Sequence, residues 1–291
     1  MSETAAQREA TAAQAPASSG AQAPVSLTNV DVEFEIPDRP GETHLAVNNI
    51  SLDVRPGELL VLVGRSGCGK TTVLNVVAGL IAATRGDVRV MGDPPVEGRK
   101  HVSYMFARDA LLPWRTARRN VEFALELRRP DIKRRERRAR AQELLERLGV
   151  GRAANLWPWQ LSQGMRQRVA LARTWATEPD VLLMDEPFAA LDAQTREDVQ
   201  GIFLDIWSRD RKTAIFVTHD LGEAILLGDR VIVMSDGYKI DEVEIVIPRP
   251  RNPATISEED QYRAVHHRLV AGLVARTGAA GASTDHEARE E

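Results

Sequence analysis

The stretch that decides the fold is Gly64-Arg65-Ser66-Gly67-Cys68-Gly69-Lys70-Thr71-Thr72. It fits the pattern G-x-x-x-x-G-K-[ST], which has a physical meaning only between a strand and a helix. The apolar run Leu59–Val63 precedes it, and a helix is predicted over Gly69–Leu80. The three glycines let the backbone turn tightly and approach a ligand without a Cβ in the way. Their N–H groups and the positive end of the following helix together predict a phosphate-binding loop.

Two side chains at the end of this loop suit a nucleotide with its metal ion. Lys70 would offer a compact positive charge to the β- and γ-phosphates, and Thr71 would offer its hydroxyl to Mg²⁺. The alternative is a glycine-rich turn with a chance lysine. The strand before the loop and the helix after it favour the phosphate site.

A second candidate site follows the apolar run Val181-Leu182-Leu183-Met184. Such a run suits a strand buried on both faces, and burying bare carboxylates at its end would be costly. Asp185 would hold Mg²⁺ directly or through water, and Glu186 would accept a proton from the attacking water. Taken alone, the pair could belong to an ordinary loop, but the phosphate loop favours the catalytic interpretation.

Outward from these two sites, short apolar runs alternate with helical stretches. This order predicts an α/β fold whose mainly parallel sheet carries helices on its faces. The predicted strands are Leu27–Phe34, Ile50–Val54, Leu59–Val63, Asp87–Met91, Val102–Phe106, Val181–Met184, Thr213–Thr218, Arg230–Met234 and Lys239–Val243. The predicted helices are Gly69–Leu80, Arg115–Leu127, Asp131–Leu148, Ser162–Ala176, Ala193–Arg209, Asp220–Leu226 and Glu258–Ala275. Residues from about 110 to 175 contain no convincing strand and are predicted as a helical insertion.

Composition sets the outer limits on function. The chain has 291 residues, 43% of them hydrophobic and 27% charged, with a formal net charge of −4. This balance is ordinary for a globular protein and argues against nucleic-acid binding by bulk charge. The single cysteine excludes an internal disulfide bond. No apolar run approaches the ~20 residues that a membrane-spanning helix needs, so any membrane role would be peripheral.

Two terminal stretches and one basic segment stand apart. Residues 1–26 and 277–291 are predicted as disordered tails around one domain over 27–276, because they hold too few large apolar residues to form a core. The basic segment Lys133–Arg140 is interpreted as a solvated helix face or as a surface for a membrane or partner. Cys68 is interpreted as a small residue that fits a tight loop, or as a redox switch.

Two further segments narrow the family. They are Leu161-Ser162-Gln163-Gly164-Met165-Arg166-Gln167-Arg168 and Phe216-Val217-Thr218-His219-Asp220. Together with the phosphate loop, the run ending at Glu186 and Ala190-Leu191-Asp192, their order resembles the nucleotide-binding subunit of ATP-binding-cassette transporters over about Leu27–Ala275. The resemblance implies a P-loop NTPase core with a mainly parallel sheet, an antiparallel β subdomain and a helical insertion. It also implies ATP and Mg²⁺ as cofactors.

The resemblance assigns roles position by position. Ser162 and Gly164 would close over the γ-phosphate of ATP held by a second subunit, His219 would contact γ-phosphate, and Asp192 would lie at the subunit interface. Phe34 would stack on adenine, or else pack in the core as a strand residue. The candidate catalytic residues are Glu186, His219 and Lys70, and the candidate metal ligands are Thr71 and Asp185. The candidate nucleotide-binding residues are Phe34, Gly64, Arg65, Ser66, Gly67, Cys68, Gly69, Lys70, Thr71, Thr72, Ser162, Gly164 and Asp192.

Within the family, two runs resemble importers of the nitrate, sulfonate and taurine type. They are Asp109-Ala110-Leu111-Leu112-Pro113-Trp114 and Ile247-Pro248-Arg249-Pro250-Arg251. Three positions depart from the family pattern. Ala107 stands where the resemblance places a glutamine that would ligate Mg²⁺ or orient water, Gln163 replaces a usual glycine, and Arg65 replaces a common proline.

The expected function is ATP hydrolysis that powers a membrane importer of a small solute. The resemblance implies transmembrane permease subunits as partners, a second copy of the ATPase, an external solute-binding protein acting indirectly, and no nucleic acid. It implies a peripheral position on the cytoplasmic face of the plasma membrane. The main alternative, raised by Ala107, is a degenerate regulatory cassette that does not hydrolyse ATP. A DNA-repair relative would need a long coiled coil between Lys70 and Ser162, where only about 90 residues lie. A translation-associated relative would carry two cassettes. A P-loop kinase or GTPase would lack the segment Leu161–Arg168 and the helix that it begins, which together form the signature of the family.

Overall fold

The computed structural model describes residues 23–37, 39 and 41–274. The predicted tail 277–291 and most of the predicted tail 1–26 lie outside the described residues. At the N-terminal boundary the structure corrects the prediction, because the first strand already begins at Val25. The Val25 side chain is fully buried, and it packs in the same core cluster as Leu27. The polar composition of the preceding segment hid this start.

Every predicted strand and helix is present, with ends shifted by a few residues in most cases. The strands are β1 (Val25–Glu35), β2 (Thr43–Val54), β3 (Leu59–Gly64), β4 (Arg85–Val90), β5 (Val102–Met105), β6 (Val181–Asp185), β7 (Thr213–Thr218), β8 (Arg230–Ser235) and β9 (Tyr238–Glu244). The helices are α1 (Lys70–Val77), α2 (Ala117–Arg128), α3 (Arg134–Arg147), α4 (Gln163–Trp175), α5 (Ala193–Asp210), α6 (Leu221–Leu227) and α7 (Asp260–Val274). Short 3₁₀ turns lie at Gly151–Ala153, Pro158–Gln160 and Ile256–Glu258.

The central sheet has six strands in the order β5-β6-β7-β3-β8-β9. All neighbouring pairs are parallel except β8 with β9, which is antiparallel. Side chains of β3 alternate between two core clusters, with Leu59, Val61 and Val63 in one and Leu60 and Leu62 in the other. Because both faces are covered, the strand reads as a continuous apolar run.

A separate antiparallel sheet, in the order β2-β1-β4, packs with α1 in one of these clusters. The second strand of this sheet is longer than the sequence predicts. Strand β2 begins at Thr43 and not at the predicted Ile50, since Glu35 pairs with Thr43 and residues 36–42 connect β1 to β2. Exposed polar residues interrupt the apolar residues along β2, so the first half of this strand contains no continuous apolar run that would predict it. The mixed, mainly parallel sheet with its antiparallel companion confirms the predicted fold class.

Between β5 and β6 the described chain forms helices and short turns without a strand. Helices α2 and α4 pack closely, and their apolar side chains join the larger core cluster. At the start of α3, the side chains of Lys133, Arg134, Arg135 and Arg138 are exposed. Arg140 forms ion pairs with Glu136 and Glu178. None of the helices in the described residues is long and apolar enough to cross a membrane.

Candidate functional site

The predicted phosphate loop lies between the end of β3 and the start of α1. A Cβ added at Gly64 would lie 2.3 Å from the Met234 carbonyl oxygen, so only glycine fits there. Gly69 has φ +96°, and an added Cβ would lie 2.4 Å from the Ala46 carbonyl oxygen. Arg65 and Ser66 form part of the exposed rim of the loop. The glycines are therefore required by the backbone path itself.

The Lys70 side chain turns back into this loop. It is 4% exposed, and its Nζ donates to the carbonyl oxygens of Gly64 at 2.8 Å and Arg65 at 3.0 Å. No side chain caps the start of α1, and its first turn contains no acidic residue. A preformed loop therefore presents an ammonium group and the positive end of a helix, the arrangement that an anion needs.

Cys68 is buried beside Lys70, with its Sγ 3.9 Å from Nζ. Burial raises the pKa of the thiol, and the charge of Lys70 only partly opposes that effect. The raised pKa disfavours the reactive thiolate. The structure therefore supports the interpretation of Cys68 as a small residue that fits the loop and not as a redox switch.

Thr71 and Asp185 meet across the top of the sheet. Thr71 Oγ1 donates to Asp185 Oδ1 at 2.9 Å. Burial raises the pKa of Asp185, and the hydrogen bond from Thr71 opposes the shift. A hydroxyl and a carboxylate are oxygen ligands of the kind that Mg²⁺ binds, with phosphate and water completing its shell. Among the described residues no cluster of three or more His, Cys, Asp or Glu side chains could hold a metal ion alone.

Glu186 and His219 form the second half of the site. Glu186 has φ +43°, and its N–H donates to the Val217 carbonyl oxygen at 3.0 Å. This turn brings Glu186 Oε2 to 3.0 Å from His219 Nδ1. Since β6 and β7 are parallel neighbours, both residues leave the sheet at the same edge. The structure thus brings two of the three predicted catalytic residues together.

Sequence reasoning missed Tyr104, which lies behind Asp185. Its hydroxyl donates to Asn75 Oδ1 at 3.1 Å and also lies 3.4 Å from Asp185 Oδ2. Burial, followed by the charge of Asp185, raises the pKa of Tyr104, so the hydroxyl remains a donor at neutral pH. A tyrosine in a strand normally indicates packing, and no local signal marked this contact.

Comparison with known proteins decides the family. The family model described as ABC transporter matches residues 47–189. Over 197 residues the chain is 47% identical to the taurine import ATP-binding protein TauB of Mesorhizobium japonicum, an alignment that covers 68% of this chain and 76% of TauB. The chain belongs to the ABC transporter family.

Two further likenesses extend over more of the ABC cassette. The chain is 38% identical over 249 residues to the nitrate import ATP-binding protein NrtC of Synechococcus elongatus; the alignment covers 84% of this chain but only 38% of NrtC. A dimeric, post-hydrolysis structure of the ATP-binding cassette MJ0796 with ADP and Pi superposes with a TM-score of 0.68 at 33% identity. That superposition covers 77% of this chain and all of the cassette. The predicted resemblance to nitrate and taurine importer ATPases is confirmed.

The signature segment of this ABC cassette begins α4. Ser162 Oγ accepts from the Met165 N–H at 3.2 Å and caps the helix, while Ser162 and Gln163 remain exposed. A Cβ on buried Gly164 would lie 2.4 Å from Thr195 Cγ2, so α4 begins in close contact with α5. Within the described chain, no hydrogen bond joins residues 162–164 to residues 64–72. The structure therefore does not bring the signature residues onto the phosphate loop of the same chain.

Asp192 lies at the start of α5, and Phe34 lies near the end of β1. Asp192 Oδ1 accepts from the Thr195 N–H at 3.0 Å and caps α5, and this hydrogen bond lowers the pKa of the exposed carboxyl. Phe34 is 38% exposed near the end of β1. The alternative that placed Phe34 in the core is therefore wrong, because more than a third of this residue stays exposed.

The segment that contains Ala107 is tied to the signature helix. Ala107 is exposed two residues after β5 ends. Asp109 Oδ2 accepts from Arg166 Nε at 2.9 Å, and the guanidinium of Arg173 donates to the carbonyl oxygens of Asp109 and Ala110. The Asp109 carboxylate is thus engaged by α4.

Proposed function

We propose that this chain is the ATP-hydrolysing subunit of a membrane importer for a small solute. The observation that carries the proposal is the hydrogen bond between Thr71, at the end of the predicted phosphate loop, and Asp185, which precedes Glu186. The contact of Glu186 with His219 supports it further. The chain thereby supplies a phosphate cradle, two oxygen ligands for Mg²⁺ and a carboxylate base at one edge of the sheet. Its likeness to TauB and NrtC supports a solute of the nitrate, sulfonate or taurine type.

Each residue of the site has a distinct task in this proposal. The loop N–H groups and Lys70 bind the β- and γ-phosphates, and Thr71 and Asp185 hold Mg²⁺. Bound there, Mg²⁺ would supply positive charge to the phosphate oxygens as the bond to the leaving group breaks. Glu186 accepts a proton from the attacking water through its carboxylate. His219, whose Nδ1 lies beside Glu186, contacts the γ-phosphate.

A second copy of the chain would complete each site. Ser162 is exposed at the positive end of α4, which suits an anion that the same chain does not bring there. In the proposed dimer, Ser162 and Gly164 of one copy close over the nucleotide of the other, and Asp192 lies at the interface between them. The dimeric ADP-bound cassette that superposes on this chain supports this arrangement.

The remaining partners follow from the proposed transport role. Since none of the described helices could span a membrane, separate permease subunits would form the pore, and the chain would lie against their cytoplasmic face. An external solute-binding protein would act through the permease. The close approach of Thr71 to Asp185 and of Glu186 to His219 supports hydrolysis over the degenerate, non-hydrolysing alternative, which rests on Ala107.

The test is phosphate release from ATP by the purified full-length chain, alone and with its co-purified permease. We expect release that depends on Mg²⁺, stops when EDTA removes it, and disappears in Glu186→Gln although nucleotide still binds. The control is Glu197→Gln, which makes the same change at an exposed site outside the proposed machinery. Binding of ATP without any phosphate release by the assembled complex would favour the regulatory alternative.

A further inference from the structure

Helix α5 makes two side-chain bridges to the segment that contains His219. Arg196 Nη1 lies 3.7 Å from Asp220 Oδ2, and Gln200 Nε2 donates to Glu223 Oε1 at 3.0 Å. Arg196 and Gln200 are four residues apart, so they lie on the same face of the helix. The two bridges therefore hold the chain just after His219 at two points.

The inner bridge continues to the residue before His219. The Thr218 side chain also lies beside the carboxylate of Glu223 and favours its ionised form. Thr218 Oγ1 in turn accepts from the Asp220 N–H at 3.0 Å, and Asp220 Oδ1 accepts from the Glu223 N–H at 3.0 Å. Hydrogen bonds thus run from α5 through Glu223 and Asp220 to Thr218, the residue before His219.

Both residues of the inner bridge are buried, Glu223 being 7% and Gln200 5% exposed. Burying a carboxylate is costly unless strong donors surround it. Two neutral donors face Glu223, whereas Arg196 of α5 acts on it only from a greater distance. The other ionisable groups around the adjoining 180 Å³ cavity are Glu197 of α5, Asp220 at the start of α6 and Tyr262 of α7.

Burial raises the pKa of Glu223 from its ordinary 4.5 to about 7, against the hydrogen bonds from Thr218 and Gln200. The neutral carboxyl is therefore the form that the fold prefers. The stability it gives is complete below about pH 4.5 and is lost as the pH rises through about 7. A glutamine would fill the same space without that loss, so the carboxylate at this position is unfavourable for stability alone.

We infer that Glu223 and Gln200 are positioning residues for His219. The ionised carboxylate accepts a charge-assisted hydrogen bond from Gln200 and holds the turn at His219 against α5. Protonated Glu223 still accepts from Gln200, but through a neutral oxygen, and hydrogen bonds to a neutral acceptor are weaker than those to a charged one. Because Asp192 caps the same helix, α5 joins the proposed subunit interface to His219. The inference rests on the proposed role of His219 at the nucleotide.

The first experiment compares the full-length chain with Glu223→Gln from pH 6 to pH 8.5. We expect ATP hydrolysis by the variant to fall about 3- to 30-fold at pH 8.5 and to approach the wild-type rate at pH 6, since positioning errors alone can cost this much. Dividing the hydrolysis rate of the variant by that of the wild-type chain at each pH cancels the effect of every ionisation that both proteins share. A ratio that does not change with pH would overturn the inference.

Thermal unfolding of the same variant separates positioning from a structural role. Glu223→Gln should raise the Tm by roughly 2–8 °C at pH 8.5, with a smaller gain as the pH falls. The protein would then be more stable and less active. Loss of both stability and activity would show a structural role and contradict the inference. Glu197→Gln, the same change beside the same cavity, should alter neither property.

The second experiment needs no nucleotide. At pH 8.5, hydrogen exchange should be faster in peptides spanning residues 216–226 for Glu223→Gln and for Gln200→Met, which keeps the volume but removes the donor. Unchanged exchange in both variants would overturn the positioning role. If exchange changes but the wild-type complex hydrolyses no ATP, the proposed function fails while the bridge between α5 and the His219 segment stands.

Discussion

Thr71 and Asp185 are 114 positions apart in the chain, yet Thr71 Oγ1 donates to Asp185 Oδ1 at 2.9 Å. Strand β7 lies between β3 and β6, so this bond joins the start of α1 to the end of a strand that is not adjacent to β3. Helix α1 reaches that far because it crosses the sheet and contacts both β6 and β7. One hydrogen bond thereby unites the two motifs that the sequence places far apart.

Replacing Glu186 with glutamine should preserve ATP binding and slow phosphate release by about 10²- to 10⁴-fold, the range for loss of a general base. The amide keeps the shape of the side chain but cannot take a proton from water. Equilibrium binding of ATP and single-turnover phosphate release on the same preparation check both halves. Hydrolysis near the wild-type rate would show that another group acts as the base.

Replacing Lys70 with alanine should weaken ATP binding about 10- to 150-fold, because a charge-assisted contact contributes about 1.5–3 kcal/mol. Turnover should be abolished as well. Titration calorimetry with Mg²⁺ present measures the affinity, and Lys100→Ala, at an exposed loop position, is the matched control. Equal affinities for Lys70→Ala and the control would contradict the role assigned to Lys70.

Replacing Ala107 with glutamine should raise phosphate release by the assembled complex by about 3- to 30-fold, which corresponds to ~0.6–2 kcal/mol of barrier. The added amide would help to orient the attacking water, whereas the nearby Asp109 carboxylate is paired with Arg166. Ala107→Leu adds bulk without an amide and should give no gain. An equal or lower rate for Ala107→Gln would mean that the site works without this amide.

Replacing Arg230 with methionine should destabilise the fold by about 3–5 kcal/mol, because it leaves Glu58 buried without its partner. Arg230 Nε lies 2.7 Å from Glu58 Oε1, and the two side chains are 7% and 4% exposed. Urea unfolding measures the loss. Adding Glu58→Leu should restore most of the stability, and a double variant as unstable as the single one would argue against the buried-charge explanation.

The sequence by itself determined the order of strands and helices and the main motifs of the site. Apolar runs such as Val181–Met184 predict buried strands because every residue must avoid water on one face or the other. The segment Gly64–Thr72 predicts its own loop, since its glycines and Lys70 act on neighbouring backbone. These signals are local, so they can be read without knowing the fold.

Only the tertiary structure decided which distant side chains meet. The contacts of Tyr104 with Asp185, of Arg166 with Asp109 and of Gln200 with Glu223 each join residues at least 23 positions apart. Strand order and helix packing set these distances, and no periodic pattern in the sequence predicts either of them. The burial that raises the pKa of Glu223 likewise depends on the elements that surround it. The sequence specifies which residue stands at each position, but the charges and the burial around that residue are set only when the strands and helices pack.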